Sequence, residues 1–311
     1  MPEVTDTCRP ERYAPYRWRH GLARMAAGML WCVTRLPYGG QLLIGRGLGR
    51  LIRRLARERR NIARTNLALC FPERSGSERE QLLDDHFDSL GIALVETALA
   101  WWGSSRRLEG LLTINGLGHL EDALRQGRGA ILLSAHFTTL EIGGRLLALH
   151  APFHVLYRSH KNPVIEDLQR RARRRHFEKA IPRDDLRALL ASLKQNRPVW
   201  YAPDQDFGRA NSLFVPFFGI PAATLTATSR LARLSGAPVV PFFPRRLPHA
   251  GGYELSLLPA LEDFPGKDVE QDTRRIMALI EERVRQQPEQ YLWVHRRFKT
   301  RPPGESPVYD C

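Results

Sequence analysis

Apolar residues along this chain follow two rhythms. Short unbroken apolar runs alternate with longer stretches in which apolar positions recur every three or four residues. Among the short runs, Gly129-Ala130-Ile131-Leu132-Leu133-Ser134 is bounded by glycine and stops just before His136, so it reads as a buried strand. Thr138 and Thr139 then cap a helix whose first turn holds Glu141. Phe153–Tyr157, Pro198–Ala202 and Pro238–Phe243 are runs of the same kind, and Tyr253–Leu258 alternates as a fifth strand. Helices are expected from Ser77, which makes a capping box with Glu80, to about Trp101, and near His119–Gln126. Others are expected from Asn162-Pro163 through Arg175, over Asp184–Gln195, over Thr224–Ser235 with Gly236 as the stop, and over Val269–Gln287. Phe214–Pro221, rich in Phe and Pro, reads as an apolar loop. Strands alternating with helices imply an α/β fold, a single mixed sheet flanked by helices.

The N-terminal part departs from this alternation. Gly21–Leu36 is apolar, but its uncharged core from Met25 to Thr34 falls short of the roughly 20 residues a spanning helix needs. Trp18 and Trp31 beside flanking arginines suit a bilayer interface, so a membrane-associated helix is expected, spanning or lying flat. Arg50 to Arg64 follows as a dense basic stretch with Leu51, Leu55 and Ile62 between the arginines, the pattern of a lipid-facing helix beside a membrane. The chain thus divides into an N-terminal segment, 1–45, with the anchoring helix and a catalytic domain, 46–311.

Composition narrows the partners. The formal charge is +14, which attracts polyanions: nucleic acid, anionic membrane or an acidic protein. No recognition motif accompanies the charge, so no specific nucleic acid is expected. A hydrophobic fraction of 43% with six Trp excludes a disordered chain. Cys8, Cys32, Cys70 and Cys311 lack CxxC spacing, which argues against a zinc site or a disulfide framework. Reduced thiols, no secretory cleavage pattern and a cytosol-facing body are the expectation.

The candidate chemistry sits after strands. His136, Arg158, the run Asp204-Gln205-Asp206, and Arg245 each follow a predicted strand, and strand ends that point the same way converge on one cleft. His136 and Glu141 are five apart. Ten histidines and 33 acids in 311 residues give about one such pair by chance, and the chain holds a second, His249 with Glu254, in an apparent turn. Context therefore selects the first pair. A histidine oriented by a carboxylate is a general base able to activate a hydroxyl, and nearby arginines bind phosphate or stabilise an oxyanion. No serine or cysteine stands in a nucleophile elbow, so direct attack by an acceptor hydroxyl is expected rather than an acyl-enzyme. Asp204 and Asp206 also suit a turn after Pro203, and carboxylates alone specify no metal.

Several stretches together resemble the late acyltransferases of bacterial lipid A biosynthesis, the lauroyl/myristoyl group of the lysophospholipid acyltransferase superfamily. They are Arg60-Asn61-Ile62-Ala63-Arg64-Thr65-Asn66-Leu67 with Cys70-Phe71-Pro72-Glu73, His136-Phe137-Thr138-Thr139-Leu140-Glu141, Tyr157-Arg158, and Trp200-Tyr201-Ala202-Pro203-Asp204-Gln205-Asp206. Val215-Pro216-Phe217-Phe218-Gly219 and His295-Arg296-Arg297-Phe298-Lys299-Thr300-Arg301-Pro302 complete the set. The resemblance implies an enzyme of the cell inner membrane, at its cytoplasmic face. It implies transfer of a fatty acyl chain from acyl carrier protein to a hydroxyl of a Kdo-bearing lipid A precursor, with no metal and no dissociable cofactor. It makes His136 and Glu141 the catalytic H-x4-E pair and places Arg158, Asp204, Gln205, Asp206 and Arg245 among substrate-binding candidates. Two alternatives stay open: a lysophospholipid or amino-lipid acyltransferase of the same superfamily, and a non-catalytic basic membrane-binding protein.

Overall fold

In the computed structural model, which describes residues 21–309 except 158 and 161, seven strands form one sheet. They are β1 (Leu112–Asn115), β2 (Ala130–Leu133), β3 (His154–Tyr157), β4 (Lys179–Pro182), β5 (Pro198–Tyr201), β8 (Val239–Arg246) and β9 (Tyr253–Leu257), in the order β1-β9-β8-β2-β5-β3-β4. β8, β2, β5, β3 and β4 run parallel, while β9 is antiparallel to β8. The sheet is therefore mixed, and the carboxyl ends of β2, β3, β5 and β8 share one edge.

All four residues of β2 are buried, because helices cover both faces of the sheet. Ile131 and Leu133 face the core shared with α3 (Arg57–Cys70), α9 (Leu186–Lys194), α10 (Ala227–Ser235) and α11 (Val269–Gln286). Ala130 and Leu132 face the core shared with α6 (Leu117–Arg125) and α7 (Leu140–Leu147). α4 (Gly76–Trp102) contributes Leu83 and Phe87 to the first core and Leu99 and Ala100 to the second. Its middle crosses the carboxyl edge of the sheet, where Ser89 hydrogen-bonds Thr138 at 2.7 Å.

Several elements differ from the sequence reading. β1 and β4 were not foreseen; both are sheet-edge strands that are only partly buried, so neither carries an unbroken apolar run. The expected loop at Phe214–Pro221 is a hairpin, β6 (Ser212–Phe217) and β7 (Ile220–Leu225), which forms a second small sheet. Its turn residues Phe218 and Gly219 both have positive φ, as a tight two-residue hairpin requires. Phe217 and Phe218 pack against Tyr291, Trp293 and Phe71 and belong to the core. The capping box of α4 is Ser75 with Glu78. Glu80 is drawn away by Arg53 and Arg64. The basic stretch is also two helices, α2 (Tyr38–Leu55) and α3, broken at Ala56.

α1 (Gly21–Val33) buries no residue, and Leu22, Met25 and Met29 stand 74%, 59% and 65% exposed. Among the described residues no helix is long and apolar enough to cross a membrane. Trp18 lies outside them. α2 runs unbroken through the expected boundary at residue 45 and is clamped to α4 through glycines. A Cβ on Gly91 would lie 2.1 Å from Gly45 O and 2.2 Å from Gly49 N, both backbone atoms that cannot yield. Gly91→Ala should therefore cost about 1–3 kcal/mol by overpacking. A lowered thermal midpoint in the purified variant would show it; an unchanged midpoint would mean the two helices part freely.

Candidate active site

The sharp turn after β2 brings His136 to the carboxyl edge of the sheet, and the adjacent strand β5 delivers Asp204 to the same level. Asp204 Oδ1 lies 2.6 Å from His136 Nδ1, and Asp204 Oδ2 accepts from the His136 backbone N–H at 2.9 Å. One carboxylate thus fixes both the ring and the main chain of His136. The C-terminal tail closes the other side. Leu292 N donates to His136 O at 3.0 Å, and Thr138 N donates to Gln290 O at 2.7 Å. Asp204 is buried; burial would raise its pKa, but the charge and hydrogen bonds of His136 outweigh this and hold it at about 2. The Tyr291 hydroxyl also hydrogen-bonds Asp204, and its pKa is pushed well above 10 by burial and by that carboxylate.

With Nδ1–H donated to Asp204, the lone pair of His136 is on Nε2, the nitrogen left free to take a proton. His295 is the nearest competitor. Burial lowers its pKa to about 4, and its Nε2 already accepts from Asp206 N at 3.1 Å, so it is neutral and occupied.

Glu141 does not orient His136, contrary to expectation. It lies in the first turn of α7, where its Oε1 accepts from Trp101 Nε1 at 3.1 Å, and it makes no ion pair with His136 among the described residues. Thr139 is the N-cap residue of α7 as expected, but its side chain makes no cap hydrogen bond. Thr139 donates its hydroxyl to Pro244 O, and Thr138 turns to Ser89, so both side chains pin the turn instead of capping α7.

The other expected residues divide. Gln205 lines the close-packed space around His136 with Tyr291, Trp293 and His295. Asp206 is engaged within the fold: Thr300 N, Thr300 Oγ1 and Gly208 N donate to its oxygens and tie the loop after β5 to the tail. Arg245 is paired across strands with Glu254, its Nε 3.1 Å from Oε1. It also lines a cavity of about 500 Å³ with Arg46, Asp88 and Gln287, on the far side of Ser89 and Gln290. Arg158 lies outside the described residues; β3, which leads to it, ends on the same edge as β2 and β5.

The sequence of the bacterial lipid A biosynthesis acyltransferase family matches residues 12–300. The chain is 41% identical over 292 residues to the lipid A biosynthesis palmitoleoyltransferase of Escherichia coli (strain K12), covering 94% of this chain and 95% of that protein. It is 42% identical over 287 residues to the lipid A biosynthesis lauroyltransferase of the same organism, covering 92% and 94%. With the myristoyltransferase of that organism the identity is 32% over 311 residues, covering 99% and 94%. The chain belongs to the bacterial lipid A biosynthesis acyltransferases.

In this lipid A acyltransferase the tail stretch around His295 and the stretch around Asn66 are parts of one support. Asn66 Nδ2 donates to Trp293 O at 2.7 Å and His295 O at 2.8 Å. Buried Arg297 donates to Ala223 O and Thr224 Oγ1, both at 2.6 Å, which joins the tail to the hairpin. Tyr291 was not foreseen as a neighbour of the His136 group. It is one aromatic among many, and only the long-range return of the tail brings it there.

Proposed function

We propose that this acyltransferase takes its acyl chain from acyl carrier protein and places it on a hydroxyl of a Kdo-bearing lipid A precursor at the cytoplasmic face of the inner membrane, with His136 as general base. The observation that carries this reading is the His136–Asp204 pair: with Nδ1 engaged by the carboxylate, Nε2 is the ring nitrogen left to act as base, on a side chain that is 27% exposed. His136 Nε2 removes the acceptor hydroxyl proton, and the alkoxide attacks the thioester carbonyl. The tetrahedral intermediate collapses, the C–S bond breaks, and the thiolate takes the proton from His136. The new ester and a free thiol leave.

Asp204 is a positioning residue here, and it stabilises the imidazolium that forms in transit. Glu141, held by Trp101 in the first turn of α7, orients the acceptor, and Arg158 contributes to binding it. Glu141→Gln keeps an oxygen for Trp101 but loses the charge. A hydrogen bond to a charged group is worth about 1.5–3 kcal/mol, so the variant should be slower by about tenfold to a hundredfold. Full activity would remove Glu141 from the reaction.

The charge of +14 favours an acidic carrier protein as donor. The exposed apolar residues of α1, with Arg35 stacked over Trp31 at 4.5 Å, favour a membrane surface for the lipid acceptor. The test offers purified enzyme in detergent acyl carrier protein loaded with C10 to C16 chains and a Kdo-bearing tetra-acylated precursor, with the product read by mass spectrometry. One added chain supports the reading. Transfer only from another thioester, or only to a lysophospholipid, overturns the donor or the acceptor respectively.

A further inference from the structure

One turn beyond Glu141, α7 carries a buried cation that the reaction above does not use. Arg145 is only 5% exposed. Its Nη2 donates to Ser105 Oγ at 2.9 Å, at the start of α5 (Ser105–Glu109), and its Nε is buried without an acceptor. No carboxylate pairs with it among the described residues. The two other described arginines that are similarly buried have more partners, although Arg297 Nε is likewise buried without an acceptor. Arg246 has Glu96 at 2.7 Å, and Arg297 has two neutral acceptors beneath both terminal nitrogens and the Phe217 ring 5.5 Å away. A guanidinium withdrawn from water with a single neutral hydrogen bond is costly, and an anion would offset that cost.

The surroundings are cationic as well. The end of α8 (Pro163–His176) brings Arg175 and His176. His176 Nε2 lies 3.2 Å from Trp101 O, and Trp101 in turn donates to Glu141, so the cluster is continuous with the rim of the site. Burial lowers the pKa of Arg145, and Arg175 lowers it further, with Glu109 acting the other way. The acids of α8 are at its opposite end, where Asp167 holds Arg171 at 2.8 Å and Glu166 accepts from His160 N. A guanidinium fork beside a hydroxyl, in surplus positive charge, matches a phosphate.

We propose that Arg145, with Ser105, Arg175 and His176, forms a phosphate-binding site one turn of α7 from Glu141. The ligand is a phosphate ester. Its source is either a phosphate of the lipid acceptor or the phosphodiester of the prosthetic arm that carries the acyl thioester. The site itself stands without the proposed reaction; only the choice of source rests on it.

Thermal denaturation of the purified protein in inorganic phosphate, against sodium chloride of equal ionic strength, tests the site without turnover. Phosphate should raise the midpoint of the wild type, and its apparent affinity should fall about tenfold or more in Arg145→Gln and in Arg175→Gln. Arg175 is exposed, so its variant keeps the test valid if loss of Arg145 prevents folding. No phosphate-specific shift in the wild type, or an equal one in Arg175→Gln, overturns the proposal. Kinetics of Arg175→Gln then separate the sources. A KM for the acceptor raised about tenfold, but unchanged for a dephosphorylated acceptor, assigns the acceptor phosphate. A raised KM for the donor assigns the prosthetic arm. Unchanged KM for both overturns any role in substrate binding.

Discussion

Replacing His136 with alanine is expected to leave a folded protein whose acyl transfer is slower by about 10²–10⁴, the usual cost of removing a general base. No other described group is placed to take over. His295 is neutral, and its Nε2 is occupied by Asp206 N. Folding should survive because the main chain at 136 is held independently of the ring, by Asp204 Oδ2 on one side and Leu292 N on the other. The substitution does strip a partner from a buried carboxylate. Burial then acts on Asp204 with less opposition, and its pKa should rise from about 2. A depressed carboxylate pKa stabilises the fold above the unfolded value, and that stability is lost as pH falls through the folded value. His136→Ala should therefore begin to lose stability at a higher pH than the wild type. Circular dichroism melts between pH 2 and pH 7 would show this, and near-normal turnover in the same preparation would remove His136 from catalysis.

Asp204→Asn is expected to be almost as damaging, for a different reason. The native carboxylate accepts from the His136 backbone N–H and the ring Nδ1–H, beside the Tyr291 hydroxyl, which can turn to donate or accept. An amide has one oxygen and one NH₂. The backbone N–H cannot become an acceptor, so the amide oxygen must face it and the NH₂ must face Nδ1. The ring then has to accept at Nδ1, which places its proton on Nε2 and removes the base. A triad carboxylate changed to its amide in a serine protease costs about 10⁴ in kcat through the same tautomer trap. A loss on the order of 10²–10⁴, chiefly in kcat with KM little changed, is the expected outcome here. Activity within a few-fold of the wild type would mean that His136 is oriented by something else.

Much of this site was legible in the sequence, and the part that was not has a physical cause. The buried run of β2, its stop before His136 and the acidic run after β5 are local features, and parallel pairing of β2 with β5 necessarily sets their ends side by side. The choice of partner was not local. Glu141 is close to His136 along the chain, and Asp204 is 68 residues away, yet α7 turns the nearer acid toward Trp101 while the adjacent strand delivers the distant one. Asp206 and Asp204 look equivalent in sequence. They alternate in role because one faces His136 and the other faces Thr300. Arg245 reads as a free cation at a strand end only until β9 is placed beside β8 and Glu254 comes opposite it. The hairpin at Phe217 was missed because Pro216 and Pro221 mark it as loop, although as register partners they sit opposite each other in a two-stranded edge. The Arg145 cluster was invisible because its members come from three helices separated along the chain.

The most direct test of the account compares single-turnover acyl transfer by Asp204→Asn and Glu141→Gln under identical conditions. The structure predicts that Asp204→Asn is the slower by at least about tenfold, because only Asp204 holds the tautomer of His136. Glu141→Gln nearly inactive beside an Asp204→Asn close to wild type would contradict it and return the orientation of His136 to Glu141.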